Sequence, residues 1–210
     1  MTRPRGRPAR GQGVSRDAIL DAALALLDED GEPGLTMRTL AARLGVTPMS
    51  LYHHVTDRAG LLRALSDRVY GAVLDGADEP ISPTEGIRTL LTRYYDAVVA
   101  HPQLTLAIFA EPAAFAGASR DITNRLTVLL ADLTPAHLLW RDILVDHAHG
   151  SGLALIAARG DGVRRAALRD AYLQALDCLL GHLQWPEATA AAGARSKPTV
   201  SNVRHDDLSL

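Results

Sequence analysis

Residues 47–54, TPMSLYHH, concentrate side chains that can contact the bases and phosphates of DNA. A serine hydroxyl such as that of Ser50 can donate to or accept from a base edge, and Pro48 and Met49 can pack against thymine methyl groups. The candidate contacts are Thr47, Pro48, Met49, Ser50, Tyr52, His53 and His54. The alternative, that these are ordinary surface residues of a helical hairpin, stays open on this pattern alone.

This segment carries no lysine or arginine, so phosphate binding must come from arginines around it. Arg38 precedes the segment and is a candidate contact to guanine or phosphate, and Arg58 follows it as a candidate phosphate contact. Residues 1–13, MTRPRGRPARGQG, interleave arginine with proline and glycine, which predicts a flexible basic arm. Arg5 and Arg7 of that arm suit a DNA minor groove.

Two short helices joined by a glycine turn must position these side chains. Thr36 caps a predicted helix over 37–44 that Gly45 ends. Thr47 caps the next helix, which has proline at its first position and continues to about His54. The apolar residues that would face an earlier helix are Leu40, Leu44, Val46, Leu51 and Val55. This arrangement is typical of a helix-turn-helix, whose second helix enters the major groove of DNA.

The flanking sequence predicts further helices and shows no strand pattern, so the predicted fold class is all-α. Ser15 caps a first helix to about Glu29, and Asp57 caps a fourth to about Leu74. Helices are also predicted from Ser82 to His101 and over 103–110, 119–133, 134–159 and 163–184, with 134–159 the longest segment.

The predicted domain organisation has four parts. A flexible basic arm covers 1–14, and a three-helix helix-turn-helix domain covers 15–74, with a linker helix from about residue 57. A larger helical domain covers 82–184. Residues 185–210 lack hydrophobic periodicity, which predicts a disordered tail.

The stretches ILDAALALLDEDGEPGLTMRTLAARLGV and LYHHVTDRAGLLRAL carry a resemblance to a known family. With them, residues 15–74 resemble the DNA-binding domain of the TetR family of transcriptional regulators, in the branch that includes the tetracycline repressor. The resemblance covers about a third of the chain. It implies an all-helical protein with an N-terminal DNA-binding domain and a larger C-terminal domain that binds a ligand and dimerises.

The same resemblance implies a set of DNA-facing residues. They are Arg38, Pro48, Met49, Ser50, Tyr52, His53 and His54, with Arg58 at the position of a phosphate-contacting lysine. Two residues depart from that branch: Thr56 lies where a basic residue is common, and His53 lies where a larger aromatic is frequent. These departures bear on the operator sequence that would be recognised.

The C-terminal helices are apolar over a wide arc, which predicts that they pack against a partner. The apolar residues of the segments 134–159 and 163–184 include Leu138, Leu139, Ile143, Leu153, Leu168, Leu176 and Leu180. Two helices from each of two chains could form a four-helix interface and hence a two-fold homodimer. Two recognition helices would then meet successive major grooves about 34 Å apart on a palindromic operator.

Polar side chains within these apolar segments are candidates for a ligand pocket. The candidate ligand-binding residues are His101, Phe109, Phe115, Trp140, Asp146 and His147. Asp142, Asp146 and His149 would share one helix face, and their polar groups either line a pocket, bond across the dimer or face solvent. His147 and His149 are two apart and point to different sides of a helix, so no metal site is predicted.

Composition excludes several classes of protein. The net charge of −2 over 210 residues argues against a histone-like architectural DNA protein. Cys178, the one cysteine, fits a reducing cytoplasm, and no apolar run is long enough to predict a membrane span. Catalytic motifs are missing from the sequence, so neither an enzyme nor a cofactor is predicted.

These observations predict a ligand-responsive DNA-binding regulator located in the cytoplasm. Repression of a palindromic operator, relieved by a small-molecule effector of unidentified structure, is the usual mode of the family it resembles. A ligand-independent architectural DNA-binding protein and a transcriptional activator remain as alternatives. The predicted fourth helix, 57–74, links the two domains and is the expected lever between effector and DNA.

Overall fold

The computed structural model describes residues 14–75, 82–158 and 161–183, and the regular elements of these residues are all helical. The α-helices are α1 (Arg16–Asp30), α2 (Met37–Leu44), α3 (Pro48–Tyr52), α4 (Arg58–Leu74), α5 (Pro83–Ala100), α6 (Pro102–Ala110), α7 (Ala118–Ala131), α8 (His137–Ala154) and α9 (Gly162–His182). Short 3₁₀ turns cover Glu32–Gly34, Pro112–Ala114 and Leu155–Ala158. The all-α prediction is confirmed.

Local capping explains where α1 to α4 begin. The side chains of Ser15, Thr36, Thr47 and Asp57 each accept a hydrogen bond from the first turn of the helix that follows. Gly45 ends α2 in the left-handed conformation at φ 67°, where a side chain would be strained. These four starts match the sequence prediction.

The third helix is shorter than predicted, since it ends at Tyr52 and not at His54. The backbone N–H groups of His54 and Val55 both donate to the Leu51 carbonyl, at 2.9 and 3.0 Å, which closes a tight turn. This turn brings Val55 back into the core of the first three helices. That core also contains Ile19, Leu20, Ala23, Leu27, Leu40, Leu51, Leu61 and Leu65.

The helix α4 is joined by polar contacts to elements on both sides. Arg68 pairs with Asp21 of α1 at 2.5 Å. On the other side the hydroxyl groups of Ser66 and Ser119 lie 2.7 Å apart in the interior. The Asp67 carboxylate accepts from the backbone N–H of Ala118, the first residue of α7, at 2.9 Å. The consecutive residues Ser66, Asp67 and Arg68 therefore fix the position of α4 against both α1 and α7.

The central helix of the C-terminal part is α5, which packs against α4, α7, α8 and α9. Tyr95 of α5 stacks on Tyr172 of α9, with ring centroids 3.9 Å apart. The helix α8 begins at His137, later than predicted, because the Thr134 hydroxyl accepts from the Ala136 N–H and holds a turn there. The segment predicted over 134–159 contains α8, of 18 residues, followed directly by the 3₁₀ turn Leu155–Ala158, whereas α9 is a single α-helix of 21 residues.

Several sequence predictions lie outside the described residues. They concern the basic arm with Arg5 and Arg7, most of the proposed boundary at 75–82, and the tail over 185–210. Among the helices that are described, none combines the length and apolar character needed to cross a membrane.

Candidate DNA-binding surface and ligand site

The outer face of α3 is exposed although it carries large side chains. Leu51 is fully buried and anchors the helix to the core. Met49 is 67% exposed and Tyr52 is 45% exposed, so neither contributes fully to packing. Holding large apolar surface in water costs free energy, so this face is a candidate surface for a partner.

The other predicted DNA contacts of this segment lie on the same exposed surface. Thr47, Pro48, His53 and His54 are exposed, and Ser50 is half-buried. The hydroxyl of Ser50 lies 3.0 Å from that of Thr47, which caps α3. Ser50 thus has one partner within the protein and retains hydrogen-bonding capacity for another.

Arg43 is engaged within the protein. Its guanidinium makes two parallel hydrogen bonds to the Glu29 carboxylate, at 2.6 and 2.7 Å. These bonds hold the pKa of Glu29 below its usual value, so the carboxylate stays charged. The pair ties α2 to the end of α1.

Arg58, the predicted phosphate contact, is also paired. It forms an ion pair with Glu32 and donates from Nε to the Leu35 carbonyl at 3.4 Å. Arg38 is exposed at the start of α2 and makes no ion pair with any residue that the structure describes. Of the three arginines closest to α3 in sequence, Arg38 is therefore the one most available to DNA.

The predicted ligand residues do not converge on a single point. Phe109 of α6 packs edge-on against His149 of α8, with ring centroids 4.7 Å apart. His147 lies on another side of α8, stacked on Tyr172 of α9 at 5.1 Å. The two histidines therefore contact different helices, as their spacing of two predicts.

A polar and aromatic cluster forms around His149 inside the helical bundle. Its imidazole Nε2 is hydrogen-bonded to the Tyr94 hydroxyl. Burial raises the pKa of Tyr94, and burial lowers the pKa of His149 against an opposing effect of Asp146. Both groups are thus neutral near pH 7, and the tautomer of His149 sets which of the two donates this bond.

Tyr70 of α4 extends this cluster. Its ring centroid lies 5.5 Å from that of Tyr94. Its hydroxyl is 2.7 Å from that of Thr105 on α6, and burial raises its pKa to about 12. The cluster defined by Tyr70, Tyr94, Thr105, Phe109 and His149 therefore connects α4, the helix next to the DNA-binding elements, with α5, α6 and α8.

The remaining predicted ligand residues are not members of this cluster. Asp146 is exposed, and Phe115 is 45% exposed after the second 3₁₀ turn. Trp140 is half-buried near the start of α8. His101 lies at the junction of α5 and α6, with Nδ1 3.4 Å from an Asp28 oxygen.

Tyr70, Tyr94 and Thr105 are not among the residues that the sequence predicts for a ligand site, and for His149 the sequence leaves a pocket, the dimer and solvent open. Tyr94 fits the apolar stripe of α5, so its pattern is that of a core residue. A tyrosine within such a stripe brings a hydroxyl into the interior, where it needs a partner, and this signal could have identified it. Three or more acidic, histidine or cysteine side chains do not gather into a metal-binding group among the described residues.

A short helix that follows a glycine turn, is buried at Leu51 and is exposed on its outer face has the arrangement of a helix-turn-helix. Residues 19–65 match the model of the family described as bacterial regulatory proteins, tetR family. This segment of the chain is therefore similar to the N-terminal domain of that family.

Relatives and solved structures agree with this assignment. Tetracycline repressor protein class D from Escherichia coli is 47% identical over 53 residues, which cover 25% of this chain and 24% of that protein. The repressor DrrR1 from Streptomyces coeruleorubidus is 42% identical over 65 residues, covering 30% and 24%. The match thus spans only about a quarter of either relative.

Similarity in structure extends over most of the chain. The regulator SCO7222, a TetR from Streptomyces coelicolor, superimposes with a TM-score of 0.64 and 27% identity, covering 81% of this chain and 97% of that one. BioQ in complex with its double-stranded DNA operator superimposes with a TM-score of 0.62 at 23% identity, covering 82% and 99%. The latter likeness concerns the fold.

Proposed function

We propose that this protein is a DNA-binding transcriptional regulator that reads its operator with α3. The observation that carries the proposal is the exposure of Met49 and Tyr52 on a helix whose opposite side, at Leu51, is fully buried. The match of residues 19–65 to the tetR family supports it. Arg38, Thr47, Pro48, Ser50, His53 and His54 complete the proposed DNA face, with Arg58 and the arm residues Arg5 and Arg7 as further phosphate or groove contacts.

A homodimer on a palindromic operator is part of the proposal. Leu138, Leu139 and Ile143 on α8 are 51%, 63% and 38% exposed in the single chain. Burying such side chains against a second copy would stabilise a dimer, at roughly 25 cal/mol per Å² of apolar surface. A two-fold dimer would present two copies of α3 to one duplex.

We further propose that the protein is a repressor that acts in the cytoplasm. A small-molecule effector then releases it from the DNA. The cluster around His149 supports this step, because it joins α4 to α6 and α8 through Tyr70 and Thr105. A ligand that changes these contacts would shift α4 and hence the spacing of the recognition helices. The boundaries 15–74 and 82–184 are proposed as the DNA-binding and the ligand-binding domain.

The DNA-binding proposal is tested with purified protein and operator-length duplexes by fluorescence anisotropy at several salt concentrations. Arg38→Ala and Tyr52→Ala each remove a contact of roughly 1–3 kcal/mol per half-site, so affinity falls by at least fivefold in each. Arg125→Ala is the control, since Arg125 is equally exposed but lies on α7. Unchanged affinity of both the Arg38→Ala and the Tyr52→Ala variant would refute the assignment of this surface to DNA.

The role of α4 as a lever is tested with a disulfide between Ser66→Cys and Ser119→Cys, whose native hydroxyl oxygens are 2.7 Å apart. Cys178 is replaced by serine in all samples, because it is exposed. The oxidised protein should bind DNA but fail to release it with effector, while the reduced protein releases it. Release from the oxidised protein would refute the lever.

The same samples test the alternatives. An architectural protein would bind unrelated duplexes as tightly as the operator, and it would not respond to effectors. An activator would increase transcription of a reporter from the operator-containing promoter, whereas a repressor would decrease it. Binding to unrelated duplexes therefore identifies an architectural protein, and reporter output with and without the protein separates an activator from a repressor.

A further inference from the structure

A cleft lies where the end of α1 meets the α5–α6 junction, the end of α8 and the start of α9. Its volume is about 340 Å³, within the range of small-molecule sites. Its lining includes Asp28, Val99, Pro102, Leu155, Ile156 and Arg165. None of these residues belongs to the cluster around His149.

The floor of the cleft is apolar and firmly packed. Leu155 is buried, and Val99 and Ile156 are half-buried beside it. Gly152 also lines the cleft, and a Cβ atom there would lie 2.7 Å from a Val98 methyl group. The glycine thus lets α8 approach α5 closely, which fixes the floor as part of the bundle.

The lining of the cleft carries opposite charges from different helices, Asp28 on α1 and Arg165 on α9. Arg165 of α9 is exposed and forms no ion pair with the residues that the structure describes. Asp28 of α1 faces the imidazole of His101 at 3.4 Å, in a geometry that gives no hydrogen bond. Both charges therefore keep unused capacity for a partner that enters the cleft.

Two buried polar atoms on α5 and at the α5–α6 junction have no hydrogen-bond partner among the residues that the structure describes. One is Nδ1 of His101, adjacent to the lining residue Pro102. The other is the hydroxyl of Tyr95, one helical turn before Val99 on α5. Buried polar atoms without a hydrogen bond are uncommon in proteins and indicate that water or a ligand supplies one.

We propose that this cleft binds a small molecule with an apolar body, an anionic carboxylate at one end and a hydrogen-bond donor at the other. The carboxylate pairs with the guanidinium of Arg165, whose fork geometry suits it. The donor, an ammonium or a hydroxyl group, bonds to Asp28. The apolar body covers Val99, Leu155 and Ile156.

Occupancy of the cleft affects DNA binding, a step that rests on the proposed function. Asp28 lies on the last turn of α1, next to Glu29, whose carboxylate holds Arg43 of α2. A ligand that bridges Asp28 to Arg165 pulls this end of α1 toward α9. Because α2 is tied to α1 there, the placement of the helix-turn-helix changes with it.

The binding site is tested directly by isothermal titration calorimetry with 4-(aminomethyl)benzoate, which has a carboxylate and an ammonium on opposite ends of an apolar ring. Benzoate and benzylamine are the single-ended analogues. The two-ended probe should bind saturably with one site per chain and at least fivefold more tightly than either analogue. Equal affinity for all three, or no saturable binding of the two-ended probe, would overturn the proposal.

Matched variants locate the site. Arg165→Gln and Asp28→Asn should each weaken binding of the probe at least fivefold. Arg164→Gln is the control, because Arg164 is an exposed neighbour on the same helix that does not line the cleft. Equal binding by the Arg165→Gln and Arg164→Gln variants would overturn the assignment to this cleft.

The coupling to DNA is a separate measurement on the same proteins. Anisotropy with an operator duplex at saturating probe should show a change in affinity for the wild type and none for Arg165→Gln. Loss of all DNA binding without probe would refute the proposed function and leave the binding result standing. Saturable probe binding with unchanged operator affinity would refute the coupling alone.

Discussion

The contact between Asp67 of α4 and the start of α7 leads to a quantitative prediction. The helix α7 lacks a side-chain cap from its own N-cap residue, Gly117. The Asp67 carboxylate replaces that cap, because it accepts from the Ala118 N–H at 2.9 Å. The substitution Asp67→Ala removes both this hydrogen bond and a negative charge beside the helix N-terminus.

The expected cost follows from these two losses. Removing a capping side chain costs about 1 kcal/mol. Removing a carboxylate from the first turn costs a further ~0.3–1 kcal/mol. Asp67→Ala should therefore lower the free energy of unfolding by roughly 1–2 kcal/mol. For a protein of this size that corresponds to a fall in Tm of about 2–4 °C per kcal/mol.

Urea denaturation followed by circular dichroism measures this cost, at one fixed protein concentration because dimerisation would add to stability. Asp121→Ala is the matched control, since Asp121 is an exposed carboxylate in the same first turn of α7. The Asp121→Ala variant loses the charge but not the capping hydrogen bond, so it should be about 1 kcal/mol more stable than the Asp67→Ala variant. Equal stability of the two variants would refute the capping role of Asp67.

Three further predictions concern neighbouring contacts. Gly117→Ala should lower the free energy of unfolding by about 1–3 kcal/mol, because the φ of Gly117 is 55° and a Cβ would lie 2.1 Å from Asp67 Oδ1. The loss should be smaller on an Asp67→Ala background, which removes that contact. Tyr70→Phe leaves the buried Thr105 hydroxyl unpaired, so it should lower the free energy of unfolding, measured by urea denaturation, by about 1–3 kcal/mol. Adding Thr105→Val should restore part of that free energy. Burial lowers the pKa of His149, so the native state disfavours its protonation and stability should fall as pH drops below about 6.5. His149→Gln should flatten that dependence between pH 7 and 5; an unchanged slope would contradict it.

The N-terminal helices could be predicted from sequence because their determinants are local. Ser15, Thr36, Thr47 and Asp57 act on backbone groups within three residues, so the pattern of residues contains the cap. The end of α3 was misplaced, since it depends on a turn that returns Val55 to a core made by other helices. Periodicity alone does not contain that information.

The candidate ligand site depended on packing that the sequence pattern does not determine. The sequence places His147 and His149 on different sides of one helix, and in the structure they contact Tyr172 and Tyr94 respectively. Tyr94 is 55 residues away from its histidine partner in sequence. The exposed position of Asp146 likewise depends on which face of α8 meets the other helices. Such partners are set by helix packing in three dimensions.

The arginines around α3 show how the same limit affects DNA binding. Sequence position made Arg58 a phosphate contact, yet Glu32, 26 residues earlier, already neutralises it. Arg43 is occupied in the same manner by Glu29. A phosphate that binds either arginine must compete with a charged carboxylate, so each contributes less counterion release than a free arginine would.

These two ion pairs also limit how DNA binding could be strengthened. Removing Glu29 would free Arg43 for phosphate, but it would also break the ion pair that joins α1 to α2. Removing Glu32 would free Arg58, but it would break the ion pair between the first 3₁₀ turn and α4. The recognition helix has five residues and is held by its neighbours, so it depends on those ties for its orientation. Either change would therefore raise the nonspecific affinity for DNA and at the same time loosen the orientation of α3. Under the proposed function, the two carboxylates favour positioning of α3 over electrostatic attraction to DNA, in agreement with a net charge of −2.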